Sequence, residues 1–375
     1  MAETPRSVDL AVAETAGVEP AGSPSGRSAP TTTSKLRRYL GFRNISAIYI
    51  FVVVFAIFAI RIPDTFLASG TWRTLLDNQV ITGITALALI IPLAAGVFNL
   101  AIGLQVGTGS MFVAWLLVDH GLSIPLAILV GTLGGVVIGL LSALLIVRVR
   151  IDSFIATLGV SSLLAAFITG ISGGEQILGV PDAYANFGVR NFHGVTYSFI
   201  LLVLVALVVW YFLERTPSGR RVYATGGNIE AARLAGVNTT VVIVGSLMAC
   251  GALAAGAGML VTARLGNADP TIGPGYLVPA FTAAFLGSTQ FRGGRFNVWG
   301  TVLSVYVLAV GVKGLQLSGA PVWIPDAFNG VSLLVAVGMA KYQGPGGSYN
   351  SIRRILRMDR PGSLAQPEHA GRSTS

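Results

Sequence analysis

Between Phe42 and Tyr342 the chain alternates long apolar stretches with short charged clusters. The stretches free of Asp, Glu, Lys and Arg are 44–60, 78–118, 120–147, 153–174, 191–213, 234–263, 270–291, 296–312 and 327–340. A helix needs roughly 20 apolar residues to cross a hydrocarbon layer, and the second stretch is long enough to cross twice. The pattern therefore predicts an all-α, polytopic membrane bundle of about ten transmembrane segments over residues 45–342. Glycines fall inside the spans, at Gly131, Gly134, Gly135 and Gly139 and again at Gly251, Gly256 and Gly258. Small residues let membrane helices approach closely, although glycine is also simply common in such helices.

The flanks read differently. The first 34 residues are rich in Ala, Ser, Thr, Pro and Gly, carry Glu3, Asp9, Glu14 and Glu19, and have no apolar core. They match neither a cleavable signal nor a folded domain, so residues 1–44 are expected to form a disordered cytoplasmic tail ending in a basic juxtamembrane segment. Residues 343–375 form a similar cytoplasmic tail, in which Ile352, Ile355 and Leu356 beside Arg353, Arg354 and Arg357 could make a short helix at the lipid headgroups.

Composition agrees with a lipid solvent: 53% of the 375 residues are hydrophobic and 11% charged, and the mean hydropathy is +0.72. One soluble core could not hide that much apolar side chain. The net charge of +9 follows the membrane-side loops rather than one basic patch, which argues against nucleic acid. With ten crossings and the N-terminus inside, 20 of the 25 basic residues are cytoplasmic; only Arg61, Arg73, Arg190, Arg264 and Lys313 fall outside. The positive-inside rule thus places both termini in the cytoplasm and the chain as a multi-pass protein of the plasma (inner) membrane.

Cys250 is the single cysteine, and His120, His193 and His369 are scattered, so no metal site or disulfide framework is expected. No GxxxxGK[ST] loop occurs, so ATP hydrolysis, if it drives this protein, belongs to a partner chain. The spans hold no ionisable coupling group of the kind ion-driven carriers keep at membrane depth. Their polar residues are neutral: Asn78, Gln79, Thr82 and Thr85, then Asn99, Gln105, Thr108 and Ser110, then Ser153, Thr157, Ser161 and Ser162. Such a lining suits an uncharged, polyhydroxylated solute, whose lost water bonds it can replace. Serine and threonine hydroxyls can equally bond their own helix backbone.

Two breaks stand out. Pro92, Gly96 and Gly103 weaken any continuous helix through 78–118, and the segment Gly96-Val-Phe-Asn-Leu-Ala-Ile-Gly103 is expected to be a polar-lined turn in the translocation path, with Asn99, Gln105, Thr108 and Thr157 as path residues. Pro270, Gly273, Pro274, Gly275 and Pro279 predict a second, re-entrant or gating break. In the longest internal loop, between Glu214 and Thr240, Asn228 reads as a helix N-cap, Glu230 complements the first turn and Gly236 ends the helix. That short element is either a docking surface for a soluble partner or an ordinary loop helix.

The stretch Gly219-Arg-Arg-Val-Tyr-Ala-Thr-Gly-Gly-Asn-Ile-Glu-Ala-Ala-Arg-Leu-Ala-Gly-Val-Asn238 resembles the cytoplasmic loop of ribose-type permeases of ATP-binding-cassette (ABC) importers. The likeness continues in Phe154-Ile-Ala-Thr-Leu-Gly159, in Ala263-Arg-Leu with Pro270 and Gly273-Pro-Gly-Tyr276, and in Leu286-Gly-Ser-Thr-Gln-Phe-Arg-Gly-Gly294, covering about residues 45–342. The resemblance implies a sugar permease that works as a homodimer or in a pair with a second permease copy, with an extracytoplasmic solute-binding protein and an ABC ATPase subunit; no cofactor is expected in this chain. It implies that the 228–238 segment is the coupling helix, with Asn228, Glu230, Ala231, Arg233, Leu234 and Gly236 meeting the ATPase. The chain departs from the family at Asn99-Leu100-Ala101, where an Asp-Leu-Ser run is common, and at Leu277-Val278-Pro279, where acids follow the Gly-Tyr. On the residues alone two other classes compete: an ion-coupled secondary carrier, for which the spans hold no coupling group, and a membrane enzyme, for which Asp152, Glu214 and Glu230 offer only loop and cap acids.

Overall fold

The computed structural model describes residues 46–192, 195–289 and 294–343, all within the second of two units that divide the chain between Leu40 and Gly41. The tails, the surface helix expected at 352–357, His193 and His369, and the 290–293 part of the Leu286–Gly294 motif lie outside the described residues. The elements run α1 (Ser46–Arg61), α2 (Pro63–Phe66), α3 (Ser69–Asn78), α4 (Val80–Ala94), α5 (Ile102–Val118), α6 (Ile124–Val147), α7 (Ser153–Ser172) and α8 (Asp182–Val189). A two-residue hairpin follows, β1 (Asn191–Phe192) with β2 (Val195–Thr196), antiparallel. Then come α9 (Tyr197–Arg215), α10 (Pro217–Gly227), α11 (Ile229–Leu234), α12 (Thr239–Leu265), a 3-10 turn (Gly273–Tyr276), α13 (Leu277–Ser288), α14 (Val298–Leu317) and α15 (Ile324–Gln343).

The described chain is all-helical apart from that hairpin, and six of its helices are long and apolar enough to cross a membrane: α3 running into α4, then α6, α7, α9, α12 and α14. α5 and α15 are shorter apolar helices. The expected 270–291 span holds only the 12-residue α13, which at about 1.5 Å per residue is too short to cross alone. The preceding 3-10 turn packs against α5, where a side chain on Gly103 would lie 2.9 Å from the Gly273 carbonyl oxygen. Gly103 is therefore not part of the helix break, as the sequence suggested. It sits in the first turn of α5 and makes room for the dipping segment.

Packing is organised around α4, every residue of which is buried. α9, α12, α13 and α14 surround it. α12 also runs along α5 and α6, and the expected glycines set that spacing: a Cβ on Gly135 would overlap the Gly251 carbonyl, and one on Gly258 the Val106 carbonyl. Without a hydrophobic driving force in lipid, such backbone-to-backbone approach supplies the van der Waals contact that holds helices together.

At the far end of α12, Arg264 reaches the C-terminal end of α3. It donates to the Asp77 carboxylate at 2.6 Å and to the Asp77 carbonyl at 2.5 Å, while the Thr196 hydroxyl on β2 donates to the other Asp77 carboxylate oxygen at 2.5 Å. The two side chains are only 14% and 24% exposed, so neither charge is well hydrated when alone. Arg264→Met is expected to lower stability by about 2 kcal/mol. Adding Asp77→Asn should recover part of that loss, as read by thermal unfolding of the detergent-solubilised protein.

Candidate translocation site and docking helix

α4 ends because Gly96 follows it in the left-handed region, at φ 81°. The Val97 amide donates to the Pro92 carbonyl at 2.9 Å and the Gly96 amide to Leu93 at 3.0 Å, the two bonds of a Schellman cap, which glycine accepts without a Cβ penalty. The chain then runs irregularly to Ile102, so the break predicted from Pro92 and Gly96 is present. Irregular backbone at this depth needs side-chain partners. α7 supplies them: the Phe98 amide donates to the Ser153 hydroxyl at 3.4 Å and the Leu100 amide to the Thr157 hydroxyl at 3.1 Å.

Asn99 fills the turn and is fully buried, as are Gln105 and Thr157. Its Oδ1 accepts from the Ala101 amide at 3.2 Å; its Nδ2 donates to Gln105 Oε1 at 3.0 Å and to Cys250 Sγ, on α12, at 3.3 Å. Cys250 lies eleven residues into α12, about 16 Å from its start by the helical rise, so the turn sits well inside the bundle rather than at its surface. Gln105 Nε2 has no hydrogen-bond partner among the described residues. An unpaired buried amide costs about 1–3 kcal/mol, a penalty that a hydroxylated guest or a water molecule would remove.

Three of the four expected path residues, Asn99, Gln105 and Thr157, thus meet at the break. Thr108 does not join them. Its hydroxyl donates to the Leu104 carbonyl of its own helix at 2.7 Å, and it borders a cavity of about 260 Å3 whose other walls, among them Phe112, Gly134, Leu163 and Phe167, are apolar. Sequence reading missed Ser153 as a ligand of the break and Cys250 as a neighbour of Asn99. It also missed the stack of Phe98 on Phe154, with centroids 4.3 Å apart, that closes the turn on the α7 side.

The loop between α9 and α12 folds into α10 and α11. Asn228 terminates one and caps the other: its amide donates to the Ala224 carbonyl at 3.2 Å while its side chain accepts from the Ala231 amide at 2.9 Å. Gly236, at φ 80°, ends α11 with the same pair of capping bonds as Gly96, from Gly236 to Arg233 and from Val237 to Ala232, both 3.0 Å. Ala232 is the buried anchor of α11. Its outer face presents Leu234, 89% exposed, with Ile229 at 40% and the Glu230–Arg233 ion pair at 3.4 Å.

Comparisons with known proteins identify the family of the chain. The family described as the permease component of the branched-chain amino acid transport system matches residues 74–337. The ribose import permease protein RbsC of Bacillus subtilis is 32% identical over 81% of this chain and 91% of its own length. The autoinducer 2 import system permease protein LsrD of Salmonella paratyphi A is 29% identical over 80% of this chain and 91% of its own, and that of Escherichia coli O9:H4 is 29% identical over 70% and 81%. No solved structure matches the chain. The ion-driven carrier has no counterpart among these relatives. A match over most of the described chain and a bundle of membrane-length helices point the same way: this protein belongs to the ribose-type permease family of ABC importers, as a multi-pass transport subunit of the membrane.

Proposed function

We propose that the chain carries a sugar or sugar-like solute inward, received from an extracytoplasmic binding protein and driven by an ABC ATPase on a separate chain. The observation that carries this reading is the helix break: a buried, neutral set of amides and hydroxyls with one amide nitrogen left unpaired. Such a set exchanges hydrogen bonds with a polyol at little cost and offers an ion no counter-charge. The names of the ribose and autoinducer 2 permeases support a small solute.

In this reading α1, α3–α4, α5, α6, α7, α9, α12, α14 and α15 each cross once and the Gly273–Tyr276 turn together with α13 makes the tenth pass, with both termini inside, which the distribution of Lys and Arg supports. Two copies pair across α7, whose face with Gly159, Ser162, Ala166 and Thr169 is exposed in the single chain and adjoins the break through Ser153 and Thr157. Asn99, Gln105 and Thr157, with Thr108 one turn farther along α5, line the path when the pair opens. The α11 face, from Asn228 through Glu230, Ala231, Arg233 and Leu234 to Gly236, docks the ATPase.

Reconstitution of the chain with its ATPase and binding protein in liposomes, tested against pentoses, hexoses, polyols and nucleosides, decides the matter. Uptake of one solute that needs ATP and all three components is the expected result. Uptake on an ion gradient without the ATPase would overturn it.

A further inference from the structure

The docking helix follows α10, and α10 touches the helix break although the two are far apart in sequence. α10 (Pro217–Gly227) is joined to α11 (Ile229–Leu234) by the single residue Asn228, which caps both. The C-terminal end of α10 is pressed onto the C-terminal end of α4. A Cβ on Gly226 would overlap the Ala94 carbonyl oxygen and come within 3.0 Å of the Gly96 nitrogen, and one on Gly96 would lie 3.2 Å from the Gly226 Cα. Two glycines therefore meet backbone to backbone at the residue where α4 stops being a helix. The neighbouring Gly227 has nothing within 4 Å of such a Cβ, so the intimacy is confined to one position.

α10 is also braced on its other side. The Tyr223 hydroxyl donates to the Phe296 carbonyl at 2.7 Å, and the Arg295 guanidinium lies 4.3 Å from the Tyr223 ring centroid. It is held between the segment leading into α14 and the break in α4, a stiff strut rather than a loop. Directly beyond Gly96 come Phe98, stacked on Phe154 of α7 and facing Phe285 of α13 with centroids 6.4 Å apart, and Asn99 with its amide contacts.

From this geometry we infer that the Gly96–Gly226 contact is the joint through which displacement of α11 reaches the helix break. A push on α11 turns α10 about its corner at Asn228. Gly226 bears on the Ala94–Gly96 backbone, and the break that carries Phe98 and Asn99 shifts against α7. Packed backbone transmits such a shift because close-packed interiors are stiff, and a two-state element converts it into an opening. The inference rests on the proposed docking of an ATPase at α11. It goes beyond that reading in assigning Gly226 and Gly96 as positioning residues that touch neither ATPase nor solute.

The test uses the full complex in proteoliposomes and compares Gly226→Ala, Gly227→Ala and an insertion of two glycines between Gly227 and Asn228, which loosens the corner without touching the core. Expected is loss of ATP-driven uptake by about 10-fold or more in Gly226→Ala and in the insertion, with the ATPase still bound and hydrolysing, and retained uptake in Gly227→Ala. Retained uptake in the insertion variant, or equal loss in Gly227→Ala, would overturn the joint. Absence of ATP-driven uptake in the unmodified complex would instead refute the importer reading, so the two failures are separable.

Discussion

Replacing Glu230 and Leu234 together by alanine is expected to leave the chain folded and to reduce solute-stimulated ATP hydrolysis by an order of magnitude or more. Leu234 is nearly fully exposed, so its removal creates no cavity and should change stability by no more than about 0.5 kcal/mol. The Glu230–Arg233 pair is solvated on both sides, at 69% and 60% side-chain exposure, and such pairs contribute roughly 0–1 kcal/mol to folding. Docking is another matter. Burying a leucine against a partner contributes about 1.5–3 kcal/mol, which alone weakens association by roughly 10- to 100-fold. Thermal unfolding of the isolated chain should be unchanged while co-purification with the ATPase and coupled hydrolysis fall. Full coupling in the double variant would remove α11 from the interface.

The second large effect is expected at Asn99. Asn99→Leu strands the Ala101 amide and Gln105 Oε1, both buried, at about 1–3 kcal/mol for each group, and should abolish uptake along with much of the thermal stability. Asn99→Asp should be far milder. The carboxylate still accepts from Ala101, and the Gln105 amide can turn its nitrogen towards it, giving Nε2 the partner it lacks. Uptake by both variants over a panel of solutes is the measurement; full uptake by Asn99→Leu would show that hydrogen bonding at position 99 does not matter.

How much of this could be read from the chain alone follows from the range of the forces involved. The helical, membrane-spanning class was legible because charge is excluded from lipid over whole segments, and six helices have the length and composition to cross. The helix break was legible because Pro92 and Gly96 act on their own backbone. So was α11, whose caps are local: Asn228 serves Ala231 three residues on, and Gly236 answers Arg233. What stayed hidden depends on which helices meet. Asn99 and Cys250 are 151 residues apart, Asp77 and Arg264 are 187 apart, and Gly226 touches Ala94 across a similar gulf. An amphipathic helix announces its buried face by periodicity, but spans apolar on every side announce none, so the partners of Gly103 and Gly226 could not be told from neighbouring glycines. The shortness of α13 was hidden for a related reason. Its stretch is free of charge for the length of a span, and only the packing of Gly273 on α5 shows that part of it is spent on a descent into the bundle.

The complete enclosure of α4 has a bearing on how the protein is made. All the helices that surround it, α9, α12, α13 and α14, are translated later. α4 is therefore delivered before the helices that enclose it, and until they arrive the faces they will cover meet lipid. Its residues suit that interval: the fifteen positions include no charge, and the only side-chain hydroxyls are Thr82 and Thr85, the latter bonded to the Ile81 carbonyl. The polar cargo of the region, Asn99 and Gln105, is placed after the helix rather than in it, where the two side chains can satisfy each other within the α4–α5 hairpin before any wall arrives.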